Sequence, residues 1–134
     1  MKIAERWLFF PFLLPAFGLV LAWAQKPTDS TIVDPEVHRV VFENEHVRVI
    51  DARAAHGWKS AMHSHAPMLV INLGSGRQKV TSPGGTTQIV DLNPGALVWQ
   101  DDPFDHAWEL LSGEVHVILV EVKSANAAAA NQSP

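Results

Sequence analysis

The sequence predicts an all-β domain closed as a small barrel or double-layered jelly roll, and three observations carry this. From residue 37 the chain runs in short stretches of period-two alternation, each broken by turn residues. No stretch between residues 37 and 123 holds the 3.6-residue apolar period of a helix. Eight or nine strands in so short a chain must close or stack to hide their edges.

The elements follow in order. "VHRVVFE" (37–43) reads as the first strand, and Asn44-Glu45 turns it. "HVRVIDAR" (46–53) alternates strictly and is the second strand; "AAHGWKSAM" (54–62) is a loop. "HSH" (63–65) opens the third strand, which continues through "MLVINL" (68–73) after a break at Pro67. "GSG" (74–76) turns, "RQKVTS" (77–82) pairs back, and Pro83-Gly84-Gly85 is a hairpin signal. "TTQIVDL" (86–92) returns, "NPG" (93–95) turns and "ALVWQ" (96–100) is a strand. "DDPFD" (101–105) is an irregular loop before the strand "HAWELL" (106–111). Ser112-Gly113 is expected to turn into the last and most apolar strand, "EVHVILVEV" (114–122).

The flanks differ in composition. Residues 1–24 place Lys2 and Arg6 before a long apolar run ending in Ala22-Trp23-Ala24, the small-x-small form of a signal-peptidase site. Cleavage is expected after Ala24, with export to the periplasm or medium. An uncleaved membrane helix is the competing reading, against which stand Pro11, Pro15 and the lack of a basic cluster after the run. Residues 25–36, with two prolines, read as a flexible leader, 37–123 as the single folded domain, and 124–134 as a disordered tail. The formal net charge is −4, and removal of residues 1–24 (Lys2, Arg6 and Glu5 among them) leaves −5. An acidic chain without a basic run is a poor partner for nucleic acid or, once cleaved, for an anionic membrane. With no cysteine, disulfides, thiolate metal sites and a cysteine nucleophile are excluded.

All seven histidines fall after residue 37. His63 and His65, two apart on an extended chain, share one face. His106 also opens a strand at a loop exit. If it points inward, three neutral imidazoles converge at one barrel mouth, a set that suits zinc, iron, copper, nickel or manganese. Held only for hydrogen bonds, the same three would be a vestigial pocket. His38, His46 and His116 read as satisfied or solvent-facing, His56 as a surface residue, and Arg48 and Arg53 as surface charges. Asp101, Asp102 and Asp105 read as loop solvation around Pro103.

These residues carry a resemblance. Gly57, the five residues "WKSAM" and His63-Ser64-His65 resemble the first motif of the cupins, and Gly76 fits the glycine that closes it. The motif's glutamate is absent, its positions holding Leu69 and Val70. Gly95 and His106 have the spacing of the second motif, with Asp101, Pro103 and Leu110 where that motif has proline, glycine and asparagine. The resemblance spans residues 37–123 and is to small, single-domain, exported cupins. It implies a double-stranded β-barrel and a divalent transition metal on His63, His65 and His106. It also implies an oxidoreductase or isomerase acting on a small molecule, and a homodimer paired through the edge of the first strand. Without the motif glutamate, the site is expected to be neutral apart from the ion. Trp58, Leu69, Val70, Trp99, Trp108 and Leu110 are the candidate pocket walls and suit a largely apolar substrate. A non-catalytic module of the bacterial envelope that binds a small ligand or metal is the alternative.

Overall fold

A computed structural model describes residues 28–101 and 103–124. The expected signal peptide, Asp102 and nearly all of the expected tail lie outside the described residues. No helix among the described residues is long and apolar enough to cross a membrane.

Eight antiparallel strands follow one short helix: α1 (Ser30–Val33), β1 (His38–Glu43), β2 (Val47–Ala55), β3 (His63–His65), β4 (Met68–Asn72), β5 (Gly76–Thr81), β6 (Thr87–Leu92), β7 (Leu97–Gln100) and β8 (Phe104–Val122). The strand β8 is the spine. Its first half pairs with β3 and β5, with β6 beyond β5, and its second half pairs with β2 and β4. The order β1-β2-β8-β4-β7 forms one layer, and β3, β5 and β6 extend the sheet from the other half of β8. The core lies between, where Trp108, Leu110 and Val80 pack against Ala52 and Val115.

Most expected turns are present. The Asn44 side chain accepts hydrogen bonds from the backbone of His46 and Val47, at 2.8 and 2.9 Å, and so turns β1 into β2. Ser112-Gly113 departs from expectation. It makes no turn; β8 runs through it as one strand of 19 residues. Gly113 has φ +76°, and a Cβ there would overlap the Ser75 carbonyl oxygen. The glycine lets β8 bend across the Ser75–Gly76 backbone, which no larger residue allows.

The expected flexible leader also departs. Residues 28–36 dock on β3: Ser64 N–H donates to the Thr28 carbonyl at 2.7 Å, and the Thr28 and Ser64 hydroxyls are 2.8 Å apart. Asp29 caps α1 by accepting from Thr31 N–H at 3.0 Å. This stretch has polar anchors rather than an apolar period, so alternation could not reveal it.

On the outside of the five-stranded layer, register aligns Phe42, Val49, Val120, Leu69 and Trp99 in one row across every strand. A second row aligns Asp51, Ile118, Ile71 and Leu97. Antiparallel sheets with one face on a core usually turn polar residues to the other. Here much of the outer face is apolar as well, with Asp51, paired to Arg53, at the β2 end of the second row.

Candidate metal centre

Alternation and register bring four histidines together. His63 and His65 leave β3 on one side, and β8 lays His106 opposite His63 and Phe104 opposite His65. The ring centres of His63 and His106 are 4.6 Å apart, those of His65 and His106 5.4 Å, and those of His63 and His65 5.0 Å. The fourth ring is His38, which opens β1 opposite Ala52 and lies 4.9 Å from His63 and 5.6 Å from His65. Among the described residues, His38, His63 and His65 form a set whose potential ligand atoms all lie within 4.8 Å of one another.

His38 corrects the sequence reading, which took it for a satisfied or solvent-facing ring. It is buried, 4% exposed, because the docked residues 28–37 deliver β1 over the site. No local spacing signals it, since the position depends on the β1–β2 register. His46 is exposed beside Glu45, and His116 is only partly covered beside Asp51.

The hydrogen bonds favour ring nitrogens with free lone pairs. The Ala61 carbonyl, 2.9 Å from His63 Nδ1, can only accept, so Nδ1 donates and Nε2 keeps its lone pair. His63 Nε2, His38 Nδ1 and His106 Nδ1 are buried without a hydrogen-bond partner. Buried orphaned nitrogens cost stability unless something uses them. Burial, with repulsion from neighbouring histidines, holds His38 down to about 3, His63 to about 4 and His106 to about 2. These rings are neutral at physiological pH, as ligands must be. On donor type, neutrality and orphaned atoms, the residues fit a transition metal ion.

Behind His65 runs a buried chain of charge. Its Nδ1 donates to Glu121 Oε1 at 2.9 Å. Glu121 Oε2 accepts from Arg48 Nε at 2.8 Å and from Nη2 at 2.5 Å, and Nη2 also donates to Asp29 Oδ2 at 2.6 Å. Arg48 is therefore buried, 1% exposed, rather than a surface charge. Alternation with Ile50 and Ala52 could have placed it inward, but its partner is 73 residues away. The expectation of a site without a carboxylate is overturned in the same way: Glu121 brings one onto His65. Burial would raise Asp29, but hydrogen bonds from Arg48 and Thr31 outweigh it and hold the carboxyl below its usual value.

A cavity of about 250 Å³ opens beside the histidines, and His38, His65 and His106 form part of its wall. Of the expected walls, Val70 and Trp108 line it. Leu69 and Trp99 are cross-strand partners on the outer face, Trp99 being 53% exposed. Leu110 is sealed in the core and Trp58 packs against that core, neither lining the cavity. The aliphatic lining comes instead from residues such as Met68, Val80, Val90 and Leu119, with the amides of Gln78, Gln88 and Gln100 among them. Glu109 faces away as expected, paired with Lys59 and Lys79. Asp101 accepts from the Trp99 indole, and Asp105 is exposed.

Comparison with solved structures agrees with this architecture. A cupin domain from Bordetella pertussis Tohama I superposes with a TM-score of 0.59 at 21% identity, covering 66% of this chain and 93% of that one. An RmlC-like cupin with a double-stranded β-helix from Methanocaldococcus jannaschii gives 0.54 at 13% identity, covering 71% and 84%. A double-stranded β-helix protein from Klebsiella pneumoniae gives 0.53 at 18% identity, covering 68% and 78%. No family model and no curated protein matches the sequence. The chain thus has the double-stranded β-helix fold seen in these cupin structures, with a buried histidine cluster.

Proposed function

We propose that this is an exported metalloprotein whose histidine cluster holds one divalent transition ion beside a small, largely apolar cavity, and that it acts on a small neutral molecule. The observation that carries the reading is the set of three buried, partnerless ring nitrogens on His38, His63 and His106. An ion bound there supplies Lewis-acid polarisation of a carbonyl or enediol, or activation of dioxygen. The chain's own contribution is binding and exclusion of water. The cavity has room for about one substituted ring, since a 150 Å³ apolar cavity holds benzene. Among the described residues no lysine or arginine lines it, so an anionic substrate finds no cationic side chain. Among the described residues its one carboxylate is Asp91, exposed on strand β6, so no buried carboxylate lines it as a general base. That favours dioxygenase- or isomerase-type chemistry led by the ion.

The test is calorimetric titration of metal-free protein with Fe(II) and Zn(II), followed by turnover assays on neutral monocyclic compounds. One ion per chain with turnover supports the enzyme. One ion per chain and ligand binding without turnover supports the alternative, a non-catalytic envelope binding module. No stoichiometric ion defeats both.

Export rests on the pattern of residues 1–24 alone. The homodimer rests on the apolar outer face rather than on the free edge of β1. Five strands about 4.8 Å apart make a patch some 19 Å from first strand to last, the scale of a standard interface core. A second copy of the same face would cover it.

A further inference from the structure

We infer that Glu121, held by Arg48 and Asp29, is the carboxylate of this metal site, acting through His65 rather than as a ligand, and that this chain makes residues 28–38 part of the site. The inference rests on the histidine-site reading and extends it. The cupin motif's glutamate position holds Leu69 or Val70, yet a buried carboxylate sits on the far ring nitrogen of His65. A carboxylate there fixes the tautomer, leaves the Nε2 lone pair free and raises its basicity.

Asp29, Arg48 and Glu121 are all buried, with the Arg48 guanidinium between the two carboxylates. Glu121 Oε1 is turned to His65 Nδ1, so a cation on the far nitrogen of that ring would draw on a buried carboxylate through it. Asp29 and His38 both belong to the docked N-terminal stretch. Asp29 reaches the site through Arg48, and His38 enters it directly. An ion that draws on His38 and His65 therefore pulls at both ends of that stretch, so docking of residues 28–37 and metal binding must strengthen each other.

The test uses Zn(II) and the full chain as purified. In the wild type, long-range ¹H–¹⁵N spectra of His65 should show Nδ1 protonated with and without zinc. Hydrogen exchange in residues 28–37 should slow when zinc binds. Glu121→Gln should lower zinc affinity by roughly 10- to 100-fold, the usual effect of removing an outer partner. Because it leaves Arg48 short of a buried partner, the paired variant Arg48→Met/Glu121→Gln removes the carboxylate and the cation together. Asp29→Asn should weaken zinc binding less and abolish the zinc-dependent protection. A folded Arg48→Met/Glu121→Gln protein that binds zinc as the wild type does overturns the role of Glu121. Unchanged exchange in residues 28–37 overturns the coupling. Both results leave the histidine site standing, whereas a wild type that binds no zinc removes it.

Discussion

At the scale of single residues, the site holds three rings, His38, His63 and His106, that burial keeps unprotonated. The unfolded chain titrates its histidines near pH 6.5, while burial holds His38, His63 and His106 at about 3, 4 and 2. Below pH 6.5 the unfolded state therefore binds more protons, and stability is lost as pH falls toward the folded values. It is fully present above pH 6.5. The slope is on the order of 1.4 kcal/mol per pH unit for each ring. The urea midpoint of metal-free protein should drop steadily between pH 7 and pH 5; a flat midpoint would contradict the burial. His38→Ala should weaken metal binding by at least the roughly 10-fold expected of an outer partner, whereas His46→Ala, at an exposed ring, should leave calorimetric affinity unchanged. His63, His65 and His106 were legible because their signals are local: a two-residue spacing and strand starts after loops. His38 was not, because nothing near it in the chain reports that β1 lies beside β2 with His38 over the histidine pair. Arg48 and Glu121 obey alternation, but an arginine inside is credible only once its distant partner is known.

Among the elements, β8 decides the architecture by serving both halves of the barrel. It does so only because Gly113 passes the Ser75–Gly76 backbone without a side chain. Gly113→Ala adds a backbone clash to strain at positive φ, and about 1–3 kcal/mol of stability should be lost. Denaturant unfolding measures this, and a variant as stable as the wild type would show that β8 is not pinned there. The turns at Asn44 and residues 83–85 were readable because each has its own chemistry. Ser112-Gly113 has the composition of a turn yet serves a crossing of strands far apart in sequence. Composition cannot separate those two uses of glycine. The docked residues 28–36 escaped for a related reason, since their order comes from hydrogen bonds to β3 and Arg48.

For the whole molecule, the apolar residues on the outer face of the five-stranded layer are the basis of the proposed homodimer. Light scattering at micromolar concentration should give a dimer mass, and Leu69→Lys, within the outer row, should give a monomer with metal affinity unchanged. A monomeric wild type would contradict this. The barrel itself was legible because period-two alternation and turn spacing are properties of the whole chain. Which residues lie on the outer face required register, since Leu69 and Trp99 read as cavity wall until β4 and β7 are aligned. The claim on which the rest depends is that the cluster is a metal site, and elemental analysis of purified protein tests it most directly. The wild type should carry one transition metal ion per chain, and His63→Ala, folded as judged by circular dichroism, should carry almost none. Full metal content in His63→Ala, or none in a wild type purified without chelator and supplied with metal, would contradict the account.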